Sequence, residues 1–182
     1  MTSDDTLFTT LYTAHHRDVV AYCLRRTNHA DAQDAASEVF AVAWRRIGDV
    51  PRGDMALPWL YGVARRVISR QYRAKGRLRR LVDRLGSVSL PPVPDPETEI
   101  VQRLEYRLVH AALNRLRDQD REIVLLAAWE GLTAAQIGAA VGCSESAAAQ
   151  RLHRARQRLA GDVRVPKRNE ATPVTSEGGE AA

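Results

Sequence analysis

The sequence predicts an all-α protein, built from two small helical domains that a flexible, proline-rich linker joins. Three observations predict this class. Apolar residues recur at helical spacing along most of the 182 residues. No segment alternates apolar and polar residues as a half-buried strand does. Four prolines fall between residues 86 and 97, and such a segment is typically extended and exposed.

Three helices are predicted in the first half of the chain. The first covers about residues 4–28, where apolar residues follow a helical period. The second begins at Asp31, whose side chain is a good N-cap, and runs to about residue 47. After a loop, the third helix covers about residues 55–75, and Gly76 is expected to end it.

The second half of the chain is also predicted to be helical. Two helices are expected at about residues 97–117 and 119–130. A short helix at about residues 134–141 and a longer helix after Ser144 follow. The final residues, TPVTSEGGEAA, have the composition of a disordered tail.

The residues EGLTAAQIGAAVGCSESAAAQRLHRARQRL predict a helix-turn-helix. Thr133 and Ser144 are N-cap residues for two successive helices, and Gly142 between them permits a sharp turn. The inward face of the second helix is formed by Ala148, Leu152, Ala155 and Leu159. Its outward surface is small and polar at the start and basic beyond, which suits the ~12 Å major groove of DNA. An ordinary amphipathic helical hairpin is the alternative interpretation.

The helix LPWLYGVARRVISRQYR separates apolar residues from arginines. One face carries Leu57, Leu60, Tyr61, Ala64, Val67 and Ile68. The opposite face carries Trp59, Gly62, Arg66, Arg70 and Arg73. This second face suits single-stranded nucleic acid, because bases stack on aromatic rings and arginines follow the phosphates. Gly62 leaves room for a backbone or a base, whereas Trp59 taken alone is equally consistent with a core residue.

The distribution of charge indicates contact with a polyanion at two places. The net charge is +5, and nine basic residues with a single acid lie between Arg65 and Arg84. Seven basic residues and two acids lie between Glu145 and Arg168, whereas the last 14 residues carry three acids and no base. Two separate basic segments favour nucleic acid as the partner. Two solvated helix faces would have the same composition.

The composition and motifs of the sequence argue against several other classes of protein. No apolar run approaches the ~20 residues of a membrane span, and MTSDDTLF lacks the features of a signal peptide. The two cysteines, Cys23 and Cys143, are far apart, so neither a disulfide framework nor a cysteine metal site is expected. Nucleophile motifs, phosphate-binding loops and metal-spaced histidines are absent from the sequence. We therefore expect a soluble cytoplasmic protein that is not an enzyme and uses no metal or cofactor.

Two blocks of the sequence resemble bacterial sigma factors. DAQDAASEVFAVAWRRI with LPWLYGVARRVISRQYRAKGR resembles region two, and LRDQDREIVLLAAWEGLTAAQIGAAVGCSESAAAQRLHRARQRL resembles region four. The short linker leaves no room for the additional regions of housekeeping sigma factors. This arrangement is that of the extracytoplasmic-function (ECF, group IV) class. The domains would be region two at residues 1–80, a linker at 81–100, region four at 101–163 and a disordered tail at 164–182.

The resemblance implies a factor that binds core RNA polymerase and directs promoter-specific transcription initiation. Region two would dock on the clamp of the largest polymerase subunit and hold the opened minus-ten strand. Region four would contact the flap region and read the minus-thirty-five duplex of the promoter DNA. The family also implies an anti-sigma factor as a partner, and no membrane insertion. A stand-alone helix-turn-helix regulator is the alternative, but it leaves the tryptophan and arginine face without a role.

The resemblance assigns residues to three surfaces. Core polymerase would be bound by Asp34, Glu38, Arg45 and Arg46, with Phe40 and Trp44 anchoring their helix. The minus-ten strand would be held by Trp59, Gly62, Arg66, Arg70 and Arg73. The minus-thirty-five duplex would be read by Ser146, Gln150, Arg151, His153, Arg154 and Arg158. Gly138 stands where relatives often have alanine, a mild change that is expected to weaken its helix slightly.

Overall fold

The computed structural model describes residues 3–84, 109 and 111–162, and the regular structure of these residues is entirely helical. The helices are α1 (Ser3–Leu24), α2 (His29–Arg45), α3 (Ala56–Arg84), α4 (Asp118–Ala128), α5 (Ala134–Val141) and α6 (Glu145–Asp162), with 3₁₀ turns at Ile47–Asp49 and Gly53–Met55. Residues 111–115 are also helical. The predicted all-α class is confirmed. The proline-rich segment, most of the predicted helix at about residues 97–117 and the tail lie outside the described residues.

Helix α2 begins earlier than the sequence analysis predicts, because Asn28 is its N-cap and Asp31 is not. The Oδ1 of Asn28 accepts a hydrogen bond from the Asp31 backbone N–H at 3.0 Å, and its Nδ2 donates to Asp31 Oδ2 at 2.8 Å. Asp31 therefore lies inside the first turn of the helix. An acidic side chain is stabilised there by the positive end of the helix dipole.

Helix α3 runs through Gly76 to Arg84, so the predicted end of this helix at Gly76 is wrong. A glycine inside a helix costs only ~1 kcal/mol relative to alanine, and good helix formers on both sides offset that cost. A glycine ends a helix when its backbone takes the left-handed conformation. Among the described residues, that conformation is found at Gly53, Gly131 and Gly142.

Helices α1, α2 and α3 pack together as a first module. Its fully buried side chains include Val19, Tyr22, Cys23, Val39 and Leu60. The Tyr22 ring of α1 stacks on the Tyr61 ring of α3, with centroids 4.7 Å apart. The predicted apolar face of α3 is buried along its length apart from the half-buried Leu57, so that prediction is confirmed. Each large apolar side chain buried in this way stabilises the fold by about 1.5–3 kcal/mol.

Helices α4, α5 and α6 form a second module, in which α5 and α6 make the predicted helix-turn-helix. Thr133 and Gln136 form a capping box at the start of α5. The Thr133 N–H donates to Gln136 Oε1 at 3.0 Å, and the Gln136 N–H donates to Thr133 Oγ1 at 3.4 Å. Gly142 then turns the chain with a φ of 79°. Ser144 caps α6 by accepting the Ala147 N–H at 3.3 Å, so both predicted caps are confirmed.

Gly138 allows the turn to fold back closely on α5. Its carbonyl oxygen accepts the N–H groups of Gly142 and Cys143 at 2.8 Å and 2.9 Å. A Cβ at position 138 would lie 2.7 Å from the Cys143 carbonyl oxygen and 3.3 Å from the Glu145 nitrogen. A backbone oxygen at this distance cannot move aside as a flexible side chain does. The close turn therefore favours glycine at position 138, an effect opposite in sign to the slight weakening expected from helix propensity.

The two modules pack directly against each other through α3 and α5. One continuous cluster of buried side chains extends from Val19 and Leu60 in the first module to Ile123 and Ile137 in the second. The sequence predicts two modules on a tether and does not predict this interface. It arises because the middle of α3 presents Gly62 to an alanine-rich part of α5, where backbones approach closely.

Candidate nucleic-acid and polymerase interfaces

The outward side of α6 is a polar and basic surface, which we call the reading face. It consists of Ser146, Gln150, Arg151, His153, Arg154 and Arg158. All of these residues are exposed except Arg151, which is half-buried. On the opposite side of the helix, Ala148 and Ala155 are 0% and 1% exposed. The predicted division of this helix into an inward and an outward side is confirmed.

The arginines of the reading face make few strong contacts within the protein. The Nε of Arg154 donates to the Gln150 carbonyl oxygen at 3.4 Å. The Nη1 of Arg158 lies 3.7 Å from Asp120 Oδ2 of α4, and an exposed pair of this kind contributes ~1 kcal/mol or less. Arg151 differs, because its Nη1 is buried without a hydrogen-bond partner among the described residues. If Arg154 and Arg158 bound phosphates or bases, only these weak contacts within the protein would be lost, and the fold would lose little stability.

The arginine side of α3 is only partly open. Arg66, Arg70 and Arg73 are exposed. Trp59 is half-buried and packs against the shared core, and Gly62 is buried beneath α5. The structure thus places all five residues along one helix, but it separates three open arginines from a covered glycine and a half-covered tryptophan.

Positive charge is concentrated around Arg66. Partial desolvation of the otherwise exposed Arg66 guanidinium lowers its pKa, and the neighbouring charges of Arg65 and Arg46 lower it further. An arginine nevertheless remains charged in a protein. The crowding of like charges therefore creates a positive potential at this part of α3, which attracts a phosphate backbone.

The residues predicted to bind polymerase lie along α2 and at its C-cap, Arg46. They are Asp34, Glu38, Arg45 and Arg46. All are exposed except Glu38, which is half-buried. Glu38 forms an ion pair with Arg70 of α3. This pair connects the predicted polymerase-binding surface with the predicted minus-ten surface.

An aromatic groove beside this surface was not predicted from the sequence. It is lined by Phe8, Tyr12, His16, Phe40 and Trp44, together with two small residues. Phe8 packs edge-on against Trp44 with ring centroids 5.1 Å apart, and Tyr12 packs edge-on against Phe40 at 4.8 Å. Phe40 is buried and anchors α2 in the core, as expected, whereas Trp44 is 45% exposed and anchors it only at the surface. The four-residue spacing of the α1 aromatics is the signal that would have revealed the groove.

A buried ion network joins the end of α1 to the second module. The Nη2 of Arg26 lies 3.1 Å from Glu122 Oε1, and its Nη1 lies 3.1 Å from Glu130 Oε1. Arg25 also pairs with Glu130, and the Tyr22 hydroxyl donates to Glu122 Oε1 at 2.6 Å. We call these five residues the interdomain latch. Tyr22 and Glu122 are 100 positions apart, so no local spacing in the sequence indicates their contact.

The groups of the interdomain latch are shielded from water except Arg25, whose side chain is 34% exposed. The side chains of Arg26, Glu122 and Glu130 are 10%, 13% and 2% exposed. Burial raises the pKa of the Tyr22 hydroxyl well above its ordinary value, and the Glu122 carboxylate raises it further, so Tyr22 donates as a neutral phenol. Burial acts to lower the pKa of Arg26, but the carboxylates of Glu122 and Glu130 oppose burial, and the pKa of Arg26 is raised.

Over the described part of the chain, His, Cys, Asp and Glu side chains nowhere gather in the groups of three or more that a metal ion needs. Within the same residues, no helix combines the length and the apolar character required to cross a bilayer. Cys23 is buried, Cys143 is half-buried, and both are free thiols.

The two modules correspond to two known protein families. Residues 11–78 match the family model described as Sigma-70 region 2, and residues 106–159 match the model described as Sigma-70, region 4. A region 2 bundle followed by a region 4 helix-turn-helix defines the class of bacterial RNA polymerase sigma factors.

Comparison with individual sigma factors identifies the group within this class to which the chain belongs. The ECF RNA polymerase sigma factor SigL of Mycobacterium tuberculosis is 31% identical over 81% of this chain and 83% of its own length. The probable RNA polymerase sigma factor RfaY of Xanthomonas campestris is 29% identical over 84% of this chain, and the match spans 39% of that relative's length. The chain belongs to the ECF RNA polymerase sigma factors.

Solved structures share the fold. The sigma factor RpoE of Bartonella quintana, crystallised with the anti-sigma factor NepR, has a TM-score of 0.61 at 22% identity, over 88% of this chain and 98% of that chain. CnrH in complex with the cytosolic domain of CnrY has a TM-score of 0.53 at 22% identity, over 85% of each chain. At this identity the likeness concerns the fold alone.

Proposed function

We propose that this chain acts in the cytoplasm as an alternative sigma factor that binds core RNA polymerase, directs it to a set of promoters and catalyses no reaction itself. The observation that carries the proposal is the presence of two different arginine-bearing helix surfaces on one chain. The reading face of α6 follows a tight glycine turn, as in duplex-binding helices. The arginine side of α3 adjoins a tryptophan, as in surfaces that bind single strands. Membership of the ECF sigma family makes core polymerase the partner on which both would act.

The reading face is proposed to contact the minus-thirty-five duplex. Ser146 and Gln150 lie in the first turns of α6, where a helix in the major groove meets base edges, and glutamine is suited to adenine. Arg151 and Arg154 follow and are suited to guanine or to phosphate. His153 and Arg158 extend the same exposed surface.

The arginine side of α3 is proposed to hold the opened minus-ten strand. Arg66, Arg70 and Arg73 are exposed along one side of the helix and would follow successive phosphates. Trp59 would offer its ring to a base, and Gly62 would permit a close approach. The last two assignments require the second module to leave its position over α3.

The outer side of α2 is proposed to dock on the clamp of the largest polymerase subunit. Asp34, Arg45 and Arg46 are exposed there and offer charges of both signs. Glu38 contributes from the edge of this surface through its pair with Arg70. The second module would contact the flap region. An anti-sigma factor is a further proposed partner, since a fold relative was crystallised with one.

Transcription from a library of genomic fragments with purified core polymerase tests the proposal. We expect RNA whose 5′ ends map downstream of a shared pair of sequence elements when this chain is present. The same start sites with core polymerase alone, or random starts with the chain present, would contradict it. A stand-alone regulator would instead bind specific duplexes without polymerase, and a gel-shift experiment with the same fragments identifies that behaviour.

A further inference from the structure

A wide cleft lies between the two modules, away from the reading face and from the exposed side of α2. It is lined by residues at the end of α1, in the middle of α3 and in α4, together with Val109, Leu113 and Asn114, and its volume is about 990 Å³. We call it the interdomain cleft. Pockets for small molecules typically have volumes of roughly 300–1,000 Å³, so the interdomain cleft is large enough for one.

The interdomain cleft keeps positive charge after its own ion pairs are counted. Of the two described acids that line it, Asp118 pairs with Arg121 at 2.9 Å, and Glu122 is held in the interdomain latch. Two other arginines of the lining, Arg65 and Arg73, form no ion pair among the described residues. The lining therefore offers cationic donors, whereas its carboxylate acceptors are already in use.

One side of α3 presents hydrogen-bond donors to the cleft in a row. Arg65, Ser69 and Arg73 are spaced four residues apart, so they lie on successive turns of the helix. The Nε of Arg65 is buried and has no hydrogen-bond partner among the described residues, whereas Ser69 and Arg73 are exposed. A buried donor without a partner lowers stability, and a phosphate oxygen would supply that partner. Guanidinium and hydroxyl groups in such a row suit a chain of phosphates.

Two aromatic rings that line the interdomain cleft are open for stacking. Tyr72 of α3 is 57% exposed, and Trp129 at the end of α4 is 49% exposed. The Tyr72 hydroxyl donates to the Arg26 carbonyl oxygen at 2.6 Å, which fixes the position of its ring. Nucleic-acid bases stack on exposed aromatic rings of this kind. Cations and rings in one cleft are the two features that recognise a nucleotide.

We propose that the interdomain cleft binds a free nucleotide with two or three phosphates. Its phosphates contact the row formed by Arg65, Ser69 and Arg73, and its base stacks on the ring of Trp129. An extended peptide suits the cleft less well, because peptide N–H groups need acceptors and the described acids of the lining are already paired. Nucleotide binding here needs neither polymerase nor promoter DNA, so it does not depend on the proposed function.

Isothermal titration calorimetry of the full-length wild-type chain tests the proposal. The probes are GTP, guanosine and pyrophosphate. GTP should bind at one site. Pyrophosphate has no base to stack, and guanosine has no phosphate for the arginines, so each should bind at least about fivefold more weakly than GTP.

A charge-matched pair of variants locates the phosphates. Arg65→Gln should lower the affinity for GTP by about fivefold or more, because a charge-assisted hydrogen bond is lost. Arg77→Gln removes the same charge from an exposed position of α3 outside the lining of the cleft, and it should leave the affinity unchanged. If circular dichroism shows that Arg65→Gln is unfolded, Arg73→Gln takes its place, because Arg73 is exposed.

A second pair of variants locates the base. Trp129→Leu should weaken the binding of GTP by about fivefold or more and leave the binding of pyrophosphate unchanged, because only stacking is lost. Trp129→Phe keeps a flat ring and should retain most of the affinity for GTP. A merely structural role of Trp129 would instead weaken both ligands together.

Four results would overturn the proposal. They are no binding of GTP at millimolar concentration, equal losses in Arg65→Gln and Arg77→Gln, binding of pyrophosphate as tight as that of GTP, and tighter binding of hexaglutamate, an acidic peptide, than of GTP. The transcription experiment judges the proposed function separately, since calorimetry uses neither polymerase nor DNA.

Discussion

At the scale of single residues, the two cysteines show how surroundings decide the chemistry of a side chain. Cys23 of α1 is 0% exposed in the core, and burial raises the pKa of its thiol to about 11. Cys143 lies half-buried in the turn between α5 and α6. Only the thiolate form of cysteine reacts rapidly with disulfide reagents.

We expect a disulfide reagent at pH 8 to modify Cys143 rapidly and Cys23 only after unfolding. A thiol with a pKa of about 11 is only ~0.1% ionised at pH 8, and the core also excludes the reagent. Counting modified thiols against time in native and denatured protein checks this. The variant Cys143→Ser should keep the slow thiol alone, and two equally fast thiols in the native wild type would contradict the assignment.

Arg154→Gln should reduce the dependence of duplex binding on salt by about one unit of logarithmic slope, because one phosphate contact is lost. Arg156→Gln is the matched control, since Arg156 is also exposed on α6 but lies outside the reading face. Its slope should change much less. Titrations of the polymerase complex on promoter DNA at several salt concentrations give both slopes. An equal change in the two variants would count against the reading face.

The sequence indicates the sides of α6 but not the start of α2. The helical period of the sequence places Ala148 and Ala155 on the inward side without any knowledge of the neighbouring helices. Both residues are buried, which confirms this prediction. Asn28 and Asp31 are both good N-cap residues one turn apart. Only the folded backbone decides between them, because the Asn28 side chain then bonds the Asp31 N–H.

At the scale of helices, the helix-turn-helix depends on Gly138, although glycine has a low helix propensity. Gly138→Ala should lower the free energy of unfolding by about 1–3 kcal/mol, because the new methyl meets the Cys143 backbone oxygen. Helix propensity alone would give the opposite sign. Denaturant unfolding followed by circular dichroism measures the change.

Gly161→Ala is the control for this prediction, since a Cβ there would contact nothing and position 161 is also helical. It should leave stability unchanged or raise it by up to ~1 kcal/mol. If Gly138→Ala stabilises the protein as Gly161→Ala does, the close turn between α5 and α6 is wrong.

Two glycines, Gly142 and Gly76, show when the end of a helix can be predicted from the sequence. The end of α5 was predicted because the Thr133 cap, the eight-residue length and Gly142 agree with one another. The end of α3 was missed because Gly76 stands among good helix formers and its backbone stays helical. A glycine therefore ends a helix where its backbone is left-handed, as at Gly142, and not where its backbone stays helical, as at Gly76.

At the scale of the whole molecule, polymerase binding is proposed to use one exposed side of α2. Asp34→Ala should weaken the affinity for core polymerase by about fivefold, as expected for ~1 kcal/mol from one exposed charge. Gln33→Ala, at an exposed neighbouring position, should leave the affinity unchanged. Surface-immobilised core polymerase measures both affinities. Equal affinities for the two variants would remove Asp34 from the docking surface.

The contact between the modules was beyond what the sequence reveals. Hydrophobic period and caps act within a helix, whereas the latch joins Tyr22 to Glu122 across 100 positions. The sequence predicts a close approach at Gly62, and in this structure the approaching backbone is that of Ala140. The sequence alone gives no reason to choose between that backbone and a nucleic-acid base.

The most direct test of the account is permanganate mapping of unpaired thymines in a promoter that the transcription experiment identifies. Core polymerase with this chain should make thymines of the minus-ten element reactive, and core polymerase alone should not. A promoter that stays unreactive throughout, although chain and polymerase are both bound to it, would contradict the claim that this protein directs polymerase to open DNA.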